Sequence, residues 1–175
     1  TYLTMPLLTQ TMGPWFKLAT STHARQLAEQ KDVMEELIKA LPPHDYFSQH
    51  FHYTITNWLP FYWHGFEQTT RYTYVIEDLT DLEKVWAGLE PNIRKDVKKA
   101  QKQVKVRNDL PLDTFVDVNV MTYERQGLSL PYTREFVHRL DAACESHNAR
   151  RIFFAEDGQG RIHAAAYIAW DECSA

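Results

Sequence analysis

The apolar and polar positions of the chain follow two periods. From Ser21 to Leu41 the residues Leu27, Val33, Met34, Leu37, Ile38 and Leu41 recur every three or four places, which predicts a helix stopped by Pro42-Pro43. Thr20, Ser21 or Thr22 is its candidate cap. From Asp45 to Trp58 the period falls to two, with Phe47, Phe51, Tyr53 and Ile55 opposite Ser48, His50, His52, Thr54 and Thr56. That alternation predicts a half-buried strand. Two further stretches, Thr1 to Leu8 before the Gly13-Pro14 turn signal and Tyr72 to Glu77, have the β-branched and aromatic content of strands.

The period then returns to helical. Leu82, Val85, Trp86 and Leu89 predict the buried face of a short helix over Asp81 to Leu89, with Thr80 as cap and Glu83 completing a capping box. A second helix is predicted from Pro91 to about Lys102, its narrow apolar stripe of Ile93, Val97 and Ala100 surrounded by Arg94, Lys95, Lys98, Lys99 and Lys102. Val104 to Arg107 reads as a strand. Pro111 marks a junction at Asp109 to Asp113, followed by helices at Leu112 to Glu124 and Thr133 to His147. The last part reads as a hairpin, Arg151 to Glu156 and Arg161 to Trp170 around Asp157-Gly158-Gln159-Gly160. The class is mixed α/β of the α+β type, with a largely antiparallel sheet flanked by helices.

Composition narrows the partners. The 175 residues are 44% apolar, enough for a real core. Nineteen Lys and Arg against 23 Asp and Glu give a formal charge of −4, so nothing global selects for nucleic acid or an anionic membrane, and any basic site is local. Cys144 and Cys173 are far apart in sequence, which argues against a disulfide framework and points to a reducing cytoplasm. No stretch approaches the roughly 20 apolar residues that span a bilayer. The opening Thr1, in strand-like sequence, suggests a trimmed start.

Four features carry candidate chemistry. The cations of the Pro91 helix, with Lys105 and Arg107 after them, put Arg94, Lys98 and Lys102 on one face, either to meet phosphates of a nucleotide or RNA or as a solvated outer surface. His50 and His52 share one side of a predicted strand, as a metal pair would, but have no third ligand at diagnostic spacing, and no metal is expected. The aromatic run Trp58, Phe61, Tyr62, Trp63 and Phe66 either walls a pocket oriented by Asn57, His64 and Arg71 or fills the core. Cys144 shares a helix with His138 and His147, without a sign that they pair. No GxSxG, Walker loop, GxGxxG or HExxH occurs.

From Tyr72-Thr73-Tyr74-Val75-Ile76 through Leu79, Trp86 and Leu89 to Arg94, Val97, Lys98-Lys99-Ala100, Lys102 and Val104-Lys105-Val106, the sequence resembles the FemAB-like branch of the GNAT acyltransferase superfamily. Tyr123 to Gly127, Pro131-Tyr132 and Ala164 to Ile168 extend the likeness, which covers roughly residues 45 to 170. The resemblance implies two tandem GNAT-like units. The first lies in 1–108 with its N-terminal strands upstream, and the second begins in 109–175 and stops before the acyl-CoA loop, which would follow the strand ending near Trp170.

The resemblance also implies a reaction, transfer of an acyl group from acetyl-CoA or another acyl-CoA to the amine of a small molecule or peptide. An aminoacyl-tRNA-dependent transferase of the same fold is the alternative, and a fragment self-associating as a homodimer through an open sheet edge is a third reading. Tyr62, Trp63, Arg71 and Tyr72 from the first unit, and Arg125 and Tyr132 from the second, are the candidates to line the acceptor site. Arg125 is best suited to grip a carboxylate or phosphate. No general base is matched.

Overall fold

The structure, a computed structural model, describes residues 1–17, 22–172 and 174–175. Backbone contacts divide the chain into unit 1, Thr1–Tyr74, and unit 2, Val75–Ala175.

Unit 1 is built on aromatic side chains more than on a sheet. Strands β1 (Tyr2–Leu3) and β2 (Tyr46–Phe47) pair in parallel, and a single bridge joins Met12 to Phe51. Helix α1 (His23–Lys39) packs on the short α2 (Leu59–Trp63), burying Met34, Pro60 and Phe61. Around Phe61 the rings of Phe47, Phe51 and Phe66 lie 6.1, 5.1 and 5.3 Å away, centroid to centroid, the first stacked and the other two edge-on. Gly13, at φ +113°, passes so close to Phe51 that a Cβ there would sit 2.8 Å from its ring. Only glycine combines that φ with that approach.

Three strand expectations are corrected in this part of the chain. The predicted strand over 45–58 shrinks to Tyr46–Phe47, because Phe47 and Phe51 turn into the ring cluster and Tyr53 and Thr54 form a turn. The strand expected over 1–8 is reduced to Tyr2–Leu3, with Leu8 at a positive φ of 60°. At α1, Thr22 takes the cap position without a side-chain hydrogen bond, while Thr20 and Ser21 lie outside the described residues. The expected strand at 72–77 is absent: Tyr72 and Tyr74 are 94% and 103% exposed, and no neighbouring strand pairs with them.

Unit 2 follows the sequence pattern closely. Its elements are α3 (Leu82–Gly88), α4 (Pro91–Ala100), β3 (Val104–Arg107), α5 (Leu112–Glu124), α6 (Arg134–Ser146), β4 (Arg150–Asp157) and β5 (Ile162–Ala169). Asp81 rather than Thr80 caps α3, its Oδ1 accepting from the Lys84 amide at 2.9 Å, while Thr80 donates its hydroxyl to Asp78. Thr133 caps α6 by accepting from the Phe136 amide at 3.1 Å. Helix α5 ends where Gly127 adopts φ +69° and the Leu128 amide returns to the Tyr123 carbonyl.

The sheet runs β3-β4-β5, antiparallel throughout, with β4 in the centre and a register shift at Ala155/Glu156. Ile152 and Phe154 alternate onto the face covered by α5 and α6, where Val116 and Val137 complete the core. The paired residues Tyr167 and Ala165 lie on that same face, so α5 meets β5 through Phe115 against Tyr167, 5.6 Å apart. The whole is a mixed α/β fold of the expected α+β kind.

Candidate functional site

The chemistry of unit 2 starts at the α3–α4 elbow. At the end of α3 the Leu89 amide caps only the Trp86 carbonyl, and the Arg94 guanidinium serves the others: Nη1 lies 2.6 Å from the Ala87 oxygen and 2.8 Å from Leu89, with Trp86 at 3.4 Å. Arg94 therefore ties two helices together, which corrects its expected place in a phosphate-facing row. Arg107 is also engaged. Its Nε and Nη2 donate to the two Asp109 oxygens at 2.7 and 2.8 Å, and Nη1 donates to Glu156 at 2.9 Å, so it is a structural ion pair between β3 and β4. The exposed cations of α4 and of the turn after it are lysines. Pro91, Arg94, Lys95, Lys98, Lys99 and Lys102 line an open groove of about 490 Å³.

A second polar group lies under α6. Asp141 is 7% exposed and takes the place of an apolar residue in the stripe Val137, Leu140, Asp141, Cys144. Its Oδ1 accepts from the Tyr167 hydroxyl at 2.9 Å, and its Oδ2 accepts from Arg150 Nη2 at 3.2 Å. Arg150 Nε stands 2.8 Å from Oδ1, an ion-pair distance whose N–H alignment falls short of a hydrogen bond. Arg150 also reaches Glu145 at 2.8 Å. Burial first, and the Asp141 carboxylate second, push the Tyr167 phenol well above its ordinary value. A charged residue on the apolar stripe of a helix was the available signal for this group, and reading the α6 pattern only for its period overlooks it.

On α5 and α6, Asp113 and Asp117 face Arg134 and His138. Arg134 pairs with both carboxylates, and His138 Nε2 lies 3.0 Å from Asp113 Oδ1. His138 thus has an aspartate partner. At the hairpin, Asp157 accepts from the amides of Gln159 and Arg161 and contacts the side chains of Arg161 and His163, each at 2.8–3.0 Å. The His163 ring, then the turn amides, hold its carboxyl well below the usual range.

The residues expected to line an acceptor site sit as follows. Tyr62 and Trp63 are exposed on α2, Tyr62 edge-on to Trp58 and Trp63 beneath the Lys31 ammonium at 5.8 Å. Arg71 and Tyr72 lie in exposed chain without regular structure. In unit 2, Arg125 closes α5 and makes one neutral contact, to Thr122 Oγ1 at 3.3 Å. Tyr132, half-buried against Phe136, accepts from Asn119 Nδ2 at 2.6 Å, and burial raises its phenol pKa so that it stays protonated. His50 and His52 share no strand. The His50 amide donates to Met5 Sδ, and the His52 ring bonds Thr54. Among the described residues no group of three or more His, Cys, Asp or Glu side chains is placed to hold a metal, and no helix is long and apolar enough to cross a membrane.

Helices, antiparallel sheet and hairpin from α4 to β5 form one run of sequence. Residues 90–173 match the acetyltransferase (GNAT) domain. No curated protein and no solved structure matches the chain. The GNAT match starts at Glu90, the residue before α4, and includes the three-stranded sheet with both of its covering helices. It supports acyl transfer to an amine as the general chemistry and acyl-CoA as the general donor. A pyrophosphate needs consecutive backbone N–H groups at a turn into a helix. No glycine-rich turn leads from β5 into a helix among the described residues, so none of them is assigned to that group.

Proposed function

We propose that the chain is part of an N-acyltransferase of the GNAT superfamily, FemAB-like in branch, that moves an acyl group from acyl-CoA to the amine of an acidic small molecule or peptide. The observation that carries this reading is the GNAT match from the start of α4 through β5. In the reaction the amine gives up a proton and its nitrogen attacks the thioester carbonyl. The C–N bond forms, the C–S bond breaks, and the departing thiolate takes up a proton.

Arg125 supplies a two-point grip for a carboxylate or phosphate on the acceptor, because its guanidinium has no carboxylate partner among the described residues. Tyr132, kept protonated and oriented by Asn119, offers a hydroxyl donor. Tyr62, Trp63, Arg71 and Tyr72 contribute the aromatic and cationic acceptor surface of the first of two tandem GNAT-like units.

The test is to incubate the chain with acetyl-CoA and a panel of amines, with and without a neighbouring carboxylate, and to follow free thiol release and acetylated product together. Product that forms faster with the acidic amines supports the reading. No product with any amine, alongside calorimetry showing no acetyl-CoA binding, removes acyl transfer by this chain.

A further inference from the structure

The acceptor groups Arg125 and Tyr132 are each held by a side chain from the second half of α5. Asn119 Nδ2 donates to the Tyr132 hydroxyl oxygen at 2.6 Å, which leaves the hydroxyl hydrogen to point outward. Three residues on, Thr122 Oγ1 gives its hydrogen to the Val118 carbonyl at 2.9 Å and accepts from Arg125 Nη2 at 3.3 Å. Side chains at i and i+3 are neighbours on a helix surface, so both contacts belong to one end of one face.

The Thr122 contact decides what Arg125 can still hold. A guanidinium has two edges that offer a pair of donors, Nε with Nη2 and Nη1 with Nη2. Both draw on Nη2, so the hydrogen given to Thr122 removes one edge and leaves the other intact. Charge sets the same limit. Arg125 is the only cation between Leu112 and Thr133 in sequence, Glu124 stands beside it, and Arg134 is committed to Asp113 and Asp117. One free edge and one positive charge match the two oxygens and the single charge of a carboxylate. A phosphate monoester, at about −1.5 to −2 near neutral pH, would keep an oxygen and part of its charge unmatched.

We propose that Thr122 is a positioning residue that restricts the Arg125 grip to a carboxylate, so that the acceptor is an amine bearing a carboxylate rather than a phosphate. This rests on the acyl-transfer reading for the role of Arg125 as an acceptor group. Thr122 itself touches no reacting atom; it acts by fixing which edge of the guanidinium faces outward.

The experiment has two arms, both on the whole chain. In the first, the Arg125 Nε–H resonance, assigned by its loss in Arg125→Ala, is followed by NMR while β-alanine, aminoethyl phosphate or aminopropanol is added without a donor. In the second, acetyl-CoA is supplied and kcat and KM are read for the same three amines. β-Alanine is expected to bind tightest and to be used best. Thr122→Val, which keeps the shape and removes the oxygen, is expected to raise the β-alanine dissociation constant and KM about fivefold with kcat unchanged. Thr122→Ser should restore both, and neither variant should alter the KM of aminopropanol or the circular dichroism. In an Arg125→Ala background, Thr122→Val should have no further effect. Binding of the phosphate as tight as that of β-alanine, no shift of the Arg125 resonance by β-alanine, or a β-alanine affinity unchanged in Thr122→Val would each overturn the proposal. Carboxylate-selective binding without product from any amine would uphold the grip and remove acyl transfer, which tells the two failures apart.

Discussion

Tyr167 on the edge strand β5 donates its hydroxyl hydrogen to Asp141 on α6, 2.9 Å away across the covered face of the sheet. With Arg150 on the other side of the same carboxylate, one buried acid joins a helix to two strands.

Removing that acid leaves two polar groups without their partner. Asp141→Ala is expected to destabilise unit 2 by about 2–3 kcal/mol, less than a fully buried pair because water reaches part of Arg150. Tyr167→Phe, which removes one hydrogen bond, is expected to cost about 1 kcal/mol. Urea unfolding followed by circular dichroism measures both. Because the folded Tyr167 pKa is raised, the unfolded chain releases this proton first, so its stabilising contribution is complete below about pH 10 and declines as pH rises further. Ultraviolet titration should show Tyr167 and Tyr132 ionising late, and Tyr167→Phe should remove one of those late steps.

The hairpin is expected to respond to acid in the opposite sense. The Asp157 pKa is depressed, so its contribution is present above about pH 4 and is lost as pH falls below that value. The protection factors of the Gln159 and Arg161 amides, taken against the intrinsic exchange rate at the same pH, should fall as pH drops below about 4. In Asp157→Asn, which keeps an oxygen for both amides but has no charge for His163, that acid response should be much reduced. Equal acid sensitivity in the two proteins would refute the assignment.

Arg94→Ala is expected to loosen the end of α3 rather than α4, because the Ala87 and Leu89 carbonyls lose their donor while Trp86 keeps the Leu89 amide. A cost of about 1–2 kcal/mol is expected. Faster amide exchange confined to α3 is the confirming pattern, and Arg94→Lys should restore only part of it, since an ammonium has no planar fork.

Arg125→Ala is expected to raise the KM for an acidic acceptor by roughly 10- to 100-fold, the loss of one charge-assisted contact. Stability should change little, since its one internal contact is with Thr122. An unchanged KM together with an unchanged melting temperature would take Arg125 out of the acceptor site.

Much of unit 2 was legible in the sequence because its elements declare themselves locally. Leu112–Glu124 coincides with the predicted helix, and Asp157 to Gly160 forms the predicted hairpin turn. The stretch from Tyr72 to Glu77 has the composition of a strand but no strand beside it, and β propensity expresses fit to a pleated, half-buried surface rather than a backbone preference. Asp45 to Trp58 misleads for a related reason. Its alternating aromatics satisfy one another as rings around Phe61, so burial there does not require a ladder. At the candidate site the lysine face was visible from spacing, but not the diversion of Arg94 and Arg107, which depends on carbonyls and carboxylates brought near by folding.

The central position of β4 bears on synthesis as well as on architecture. β3 is made early, but the strand it pairs with follows only after α5 and α6, and the Arg107–Glu156 pair spans 49 residues. A growing chain therefore carries two finished helices, with the Val116 and Val137 faces uncovered, until β4 leaves the ribosome. That interval is when unit 2 is most open to chaperones and to aggregation, and it closes with the arrival of one eight-residue strand.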